Sequence, residues 1–217
     1  MENIRIPIGA WVDTAFDWLK ENVAWFFDAV TWLFNFFIEI LTDVLVDLHP
    51  LVIIVLLALI GWVLRSWQMA LGTVITMFFI LTMDQWVASM QTLALVLIAA
   101  VIAVIIAVPV GILAARNDAA STVIKPVLDF MQTMPSFVYL IPAVTFFGIG
   151  VVPGLVATVI FALPPGVRFT ELGIRGVDSE TVEAGQSFGA TPGQILRGVQ
   201  LPLATPPIMA GINQVIM

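Results

Sequence analysis

The chain has 217 residues, of which 60% are hydrophobic and only 11% charged, with a formal net charge of −7 and a mean hydropathy of +1.07. A soluble domain carries about a quarter charged residues, so the composition excludes an ordinary water-soluble globule and indicates a membrane protein. The acidic balance argues against a nucleic-acid partner, which needs clustered Lys and Arg, and the absence of cysteine removes disulfides, zinc–thiolate sites and thiol chemistry.

The opening MENIRIPIGAWVD is not read as a signal peptide, because acids and a Trp stand where a basic region and a short apolar core belong. Trp11, Trp18, Trp25 and Trp32 recur every seven residues, which stacks them on one helical face with a slow drift. Asp13, Asp17, Asp28, Asn35, Glu39, Asp43 and Asp47 extend a polar side. Residues 1–47 therefore read as an amphipathic helix, or a pair, lying at the outer membrane interface where Trp concentrates. Interfacial helices are usually rich in Lys and Arg, whereas this segment has eight acids against Arg5 and Lys20; a helix packed against protein is the other reading.

Charges divide the rest into spans. Uncharged runs of 17, 18, 31 and 38 residues cover 48–64, 66–83, 85–115 and 130–167. A bilayer core takes about 17–25 apolar residues per helix. The first two runs are short but adequate and form two accessory transmembrane helices within 48–84. The third is one helix near 88–115. The fourth is too long for one crossing, and the turn signal GIGVVPG at 148–154 splits it into helices 122–147 and 152–168. A last apolar run starts at 198. If crossings alternate, Arg65, Arg116, Lys125, Arg168, Arg175 and Arg197 share one side, while the loops around Asp84 and 148–153 carry no Lys or Arg. That positive-inside pattern puts residues 1–47 outside and the stretch around 178–200 in the cytoplasm. His49 lacks ligand companions and reads as structural; Asp129 and Glu171 read as solvated carboxylates at cytoplasmic helix ends.

Two stretches carry candidate function. Pro126, Pro135 and Pro142 fall in the predicted helix 122–147, and prolines free backbone carbonyls that must face protein or a wet cavity rather than lipid. Thr133, Pro135, Ser136, Phe137, Tyr139 and Pro142 are therefore candidates for lining a translocation path, with simple packing kinks as the alternative. The second stretch is VEAGQSFGATPGQILRGVQLP at 182–202, a polar, glycine-punctuated insert between apolar runs. Asp178 or Ser179 can cap a helix whose first turn carries Glu180 and Glu183. Gly189 sits where that helix ends, in the left-handed conformation glycine tolerates. Thr191-Pro192 then reads as an N-cap and N1 proline restarting a second short helix, and Pro202 marks the start of the next span.

The spacing Glu183-Ala184-Gly185, Gly189, Val199, Leu201-Pro202 resembles the EAA loop of ABC-importer permeases, E-A-A-x3-G-x9-I-x-L-P, with Gly185 and Val199 as mild departures. A wider stretch, MQTMPSFVYLIPAVTFFGIG at 131–150 with ATVIFALPPGVRFTELGIRGV at 157–177, is similar to the glycine betaine/proline betaine branch of that family. The resemblance covers roughly 85 to 217. It implies an all-α polytopic membrane protein with the type I importer permease fold in a bacterial inner membrane. Residues 85–217 would be the permease core, with the coupling loop at 178–200. The core of that family has five spans, only four can be placed here, and the chain is expected to end inside the fourth. Glu183, Ala184, Gly185, Gly189, Val199, Leu201 and Pro202 would form the contact with a cytoplasmic ABC ATPase, with Gly189 as the bend.

The implied partners are that ATPase, an extracytoplasmic substrate-binding protein or domain, and a second permease copy, most simply as a homodimer. The only lysines are Lys20 and Lys125, neither after a glycine, so there is no P-loop and ATP with Mg2+ would be bound by the partner rather than by this chain. Quaternary ammonium ligands favour aromatic faces, and Phe137, Tyr139, Phe146 and Phe147 could offer them, although core packing is the commoner use. No carboxylate pair, Ser-His-Asp set or metal cluster marks an enzyme. The function expected is transport of a glycine betaine-type osmolyte, driven by ATP in the partner. An ATP-independent carrier or channel, which needs intramembrane ionisable groups, and a membrane scaffold for an ATPase are the alternatives.

Overall fold

The computed structural model describes residues 7–217, with the backbone alone at Ile8; residues 1–6, including Arg5 and the first part of the opening stretch, lie outside the described residues. The described residues are helical throughout. Helix α1 spans Ile8–Asp47, α2 Pro50–Leu64, α3 Trp67–Thr82, α4 Trp86–Arg116, α5 Asp118–Thr133, α6 Ser136–Phe147, α7 Val151–Arg175, α8 Ser179–Ser187, α9 Pro192–Ile195 and α10 Leu201–Ile216, with a π-helical turn at Leu196–Gln200. Among the described residues α1, α4 and α7 are long and apolar enough to cross a membrane, as is the bent pair α5–α6 if it counts as one span.

The core is built on α4 and α7, which share the largest helix–helix interface. The reason lies in α4: Ala100, Ala103, Ala107, Gly111 and Ala114 are all buried. Their spacing of three and four residues makes a flat stripe of small side chains on one face. Lipid tails are as apolar as leucine, so membrane helices associate through close van der Waals contact rather than hydrophobic exclusion. The stripe permits that contact. A Cβ placed on Gly111 would lie 2.5 Å from the Thr170 Cβ and 2.8 Å from the Val167 carbonyl oxygen. Helix α10 closes on an adjoining face of α7 in the same manner, with Gly211 against Phe169.

Helix α1 is a single helix, not a pair, of 40 residues, about 60 Å long at 1.5 Å per residue and so about twice the hydrocarbon thickness. Its contacts run across the bundle in succession. Leu45 and Val46 pack on the cluster containing Trp86 and Met90, and Phe34 and Ile38 on one containing Ala99, Ala103, Leu155 and Val159. Phe27 and Phe16 stack on Phe146 at 4.6 and 4.8 Å. These partners lie along α4 from Trp86 to Ala103, in the first half of α7 and at the end of α6. The helix is therefore a strap laid across α4, α7 and the end of α6. Trp11, Trp18, Trp25 and Trp32 stay more than half exposed, on the side away from the stripe formed by Phe16, Phe27, Phe34 and Ile38. One face of α1 packs on protein and its tryptophan face is exposed.

The remaining expectations are modified in three places. Helices α2 and α3 pair as a hairpin of 15 and 16 residues, each about 22–24 Å long and below a full hydrocarbon core. The predicted helix 122–147 is two helices bent by 98°. Of its three prolines only Pro135 breaks it, because proline pushes the preceding residue out of the helical region and Met134 is extended; Pro126 and Pro142 remain inside α5 and α6. The predicted helix 152–168 runs on to Arg175. Its charges do not end it because α5 neutralises them: Arg168 pairs with Asp129, and Arg175 with Asp118 at 2.7 Å.

Candidate functional site

The polar insert emerges from the end of α7 opposite α1. After Gly176 the Asp178 carboxylate caps α8, accepting from the Glu180 amide at 2.9 Å, so Asp178 rather than Ser179 is the N-cap. The helix ends at Ser187, and Gly189 follows with φ +78°. That left-handed value is one of the few places where glycine is required, since a Cβ there collides with its own carbonyl. No neighbouring atom lies within 4 Å of a Cβ built on Gly189, so the requirement is one of backbone conformation and not of space. The Thr191 hydroxyl then accepts from the Gln194 amide at 3.4 Å, and the Gln194 side chain accepts from the Thr191 amide at 2.8 Å. This capping box, with Pro192 at N1, satisfies donors that a helix start leaves free.

The second helix differs from its expected form. It is not a separate short helix but the first turn of a helical stretch that passes through the π turn at Leu196–Gln200 into α10. Pro202 explains the π turn. It has no N–H to donate to Gly198, and in an α-helix its ring would strike that carbonyl. Widening the preceding turn, where the Leu201 amide donates to the Leu196 carbonyl, removes the collision without ending the helix.

The structure brings together the residues of the sequence pattern at one end of the molecule. Gly185 faces the second helix: a Cβ there would lie 3.5 Å from the Ile195 side chain, ordinary contact that an alanine could fill. Glu183, Ala184 and Gly189 are exposed, and Val199 and Leu201 half-buried. Pro202 is exposed and lies beyond the turn. At the apex Phe188 is 92% exposed, a large apolar side chain with nothing on it. Sequence reasoning did not single it out, although an aromatic beside the predicted bend was the available signal.

The candidate path residues separate. Ser136 and Phe137 line a cavity of about 320 Å3 between α6 and α7, with Leu140, Gly154, Ala157, Thr158 and Phe161. A second cavity of about 570 Å3 shares Thr158 and Phe161 and adds Gln132, Gln214 and residues of the α10 end. Neither is lined by a charged side chain. Tyr139 is buried and its hydroxyl donates to the Met131 carbonyl, so it clamps the bend instead of presenting an aromatic face. Thr133 donates to the Phe130 carbonyl at 2.8 Å. Pro135 forms the break itself and Pro142 sits within α6. Phe146 packs under α1.

Glu171 departs most from expectation. It is 4% exposed, not solvated, and its Oε1 accepts from Ser121 Oγ at 2.7 Å, Lys125 Nζ at 3.1 Å and Arg175 Nε at 3.0 Å. The spacing that announced this was present in the sequence: Asp118, Ser121, Lys125 and Asp129 on α5 and Arg168, Glu171 and Arg175 on α7 each recur at three or four residues.

Several helices of membrane-crossing character, joined at one end by a capped helix–glycine–helix projection with an exposed apex, define a polytopic membrane protein. Residues 107–217 match the family of binding-protein-dependent transport system inner membrane components. The chain is 48% identical to the glycine betaine/carnitine transport permease protein of Listeria monocytogenes over 223 residues, covering all of this chain and 78% of that protein. It is 42% identical to the glycine betaine transport system permease protein of Bacillus subtilis, over 98% of this chain and 76% of the relative. It is also 43% identical to the glycine betaine/proline betaine transport system permease protein of Escherichia coli, over 98% of this chain but only 60% of that relative. The chain belongs to the binding-protein-dependent transport permease family, with the type I ABC-importer permease fold. Membership implies in general an ATPase and a substrate-binding partner.

Proposed function

We propose that the chain is the membrane subunit of an ATP-driven importer of glycine betaine, proline betaine or a similar quaternary ammonium osmolyte. A cytoplasmic ATPase binds α8, the Gly189 bend and α9, and works on a homodimer of permeases. The observation that carries this reading is the projection itself: two capped helical segments held at a fixed angle by a glycine at φ +78°, with Phe188 bare at the apex. An isolated loop has no reason to leave a phenylalanine in water, whereas a groove in a partner gives it a place. Glu183, Ala184, Gly185 and Gly189 form the contact, and Val199, Leu201 and Pro202 join it to α10. The nucleotide and its Mg2+ belong to the ATPase, and this chain performs no hydrolysis. Ser136, Phe137, Thr158 and Phe161 line the route between α6 and α7; uncharged walls with aromatic faces suit a zwitterion whose cation is shielded by methyl groups. A proton-coupled carrier would need an exchangeable intramembrane carboxylate, and Glu171, with three donors on one oxygen, is held as part of an ionic ladder. Reconstituted with its ATPase and binding protein, the full-length permease is expected to accumulate glycine betaine against a gradient only when ATP is supplied. Uptake that follows an imposed proton or sodium gradient without ATP would overturn the reading.

The topology we propose rests on the same geometry. The first half of the α1 strap, seated on Phe146, and the 148–150 turn share the end of the bundle opposite the coupling projection, and Arg116, Arg175 and Arg197 lie at the projection's end. With the projection in the cytoplasm, α1 lies at the outer face. A cysteine replacing Asp13 is expected to react with an impermeant maleimide in spheroplasts, and one replacing Ser187 only after lysis. Labelling in the opposite order would sink both the orientation and the docking assignment.

A further inference from the structure

We infer that Glu171 is a positioning residue for transport. It makes α5 move with the end of α7, so that displacement of the coupling projection reaches the bend at Met134–Pro135 and the cavity beyond it. This rests on the proposed importer function.

The argument starts from the two helix faces. On α5, Asp118, Ser121, Lys125 and Asp129 follow at intervals of three, four and four residues and so share one face. On α7, Arg168, Glu171 and Arg175 do the same. The two helices run antiparallel, and the faces meet in register. Asp118 pairs with Arg175, Ser121 and Lys125 with Glu171, and Asp129 with Arg168. Three carboxylates meet three cations, so the ladder is neutral as a whole. Arg175 also donates to the Ala114 carbonyl at 2.8 Å, which fastens the last turn of α4 to the same point.

Within the ladder the rungs are unequal. Asp129 and Asp118 are largely exposed, with side chains 64% and 91% accessible, whereas the Glu171 side chain is 5% accessible. Exposed pairs hold geometry weakly because water competes for each partner. A buried carboxylate has no water to turn to and must keep its donors. Glu171 is therefore the rung that cannot slip. Its position also matters. It stands seven residues before Asp178, the cap of α8, so it lies on the last two turns of α7, next to the projection. On the α5 side, Lys125 lies one turn before Asp129 and about two turns before the bend. Beyond the bend, α6 meets α7 through the cavity lined by Ser136, Phe137 and Phe161. An element fastened rigidly at one end and broken at the other turns a shift of the first into a change of angle at the second.

The test measures glycine betaine taken up per ATP hydrolysed, in proteoliposomes holding the full permease with its ATPase and binding protein. In Glu171→Gln, which keeps the size and a partner for Ser121, ATP hydrolysis is expected to stay near wild type while uptake per ATP falls by at least about fivefold. Lys125→Met removes the partner charge from a half-exposed position and should fold even if Glu171→Gln does not; the same fall is expected. The double variant should fall no further than the worse single, because both break one connection. Variants that lower yield or thermal stability yet keep the wild-type ratio would show a merely structural ladder and overturn the inference. A double variant whose losses multiply would also overturn it, since the two groups would then act separately. A wild-type complex that takes up nothing with ATP would sink the importer reading itself, and the inference with it; wild-type transport with unchanged variants sinks the inference alone.

Discussion

Gly189→Val is expected to abolish most transport while leaving the protein in the membrane. At φ +78° a side chain costs about 1–2 kcal/mol for an ordinary residue, and a β-branched one resists the conformation further. A cost of that size lowers the fraction of molecules with the native bend by roughly 5- to 30-fold. The bend sets the angle between α8 and the Thr191-capped turn, so its loss misaims Phe188 and the second helix together. The spans are held by lipid and by the α4–α7–α10 contacts and do not depend on this turn. Expression and detergent-soluble yield should therefore stay near wild type, while substrate-stimulated ATP hydrolysis and uptake fall in parallel. Asparagine, which visits the left-handed region with less penalty, should retain more activity than alanine, and alanine more than valine. Gly72→Ala, in α3 and away from the projection, is the control: nothing lies within 4 Å of its added Cβ, and alanine favours a helix over glycine. Normal transport by Gly189→Val would reduce the projection to a connector and end the docking proposal. Loss of the protein from the membrane would show that the glycine serves folding, which is equally incompatible with a role confined to docking.

Gly111→Leu should show the opposite pattern, with folding lost before function can be measured. The added Cβ alone would fall 2.5 Å from Thr170 Cβ and 2.8 Å from a backbone carbonyl of α7, and a carbonyl cannot rotate away as a side-chain tip can. Relief requires α4 and α7 to separate, which opens the interface that organises the bundle. Overpacking typically costs about 1–3 kcal/mol and sometimes more, and this contact lies in the tight range on both sides. Little monodisperse protein is expected from detergent extracts of Gly111→Leu. Gly111→Ala should give less than wild type and a lower melting temperature by thermal aggregation assay. A Gly111→Leu protein that melts with wild type would mean that the helices are not in contact at this point, and the core described above would be wrong.

Local chemistry was readable from the sequence. The N-cap at Asp178 or Ser179, the turn glycine at 189, the Thr191-Pro192 start and the split at 148–154 are set by one residue and its immediate neighbours. Nothing distant competes with them, and each appears where its residue stands. The long helix near 88–115 was equally legible, because an uninterrupted apolar run in a lipid setting has few alternatives to a helix. What the sequence left open depended on which faces meet. Three prolines could each have broken the helix at 122–147; Pro135 does, with Tyr139 buried and bound to Met131 across the break. Glu171 read as a solvated end because its donors, Ser121 and Lys125, lie about fifty residues away in the chain and become neighbours only when α5 lies along α7. The length of α7 follows from the same pairing, since Arg168, Glu171 and Arg175 can continue a helix into the bundle only where opposite charges receive them. Helix α1 could float at the interface or pack on protein; the contacts of Phe27, Phe34 and Ile38 show one face packed on α4, α6 and α7. Single-residue preferences act through torsion angles and the next few amides, and a chain carries those with it. Neutralising a buried charge or closing a small-residue stripe requires a second helix, and only the tertiary structure brings it there.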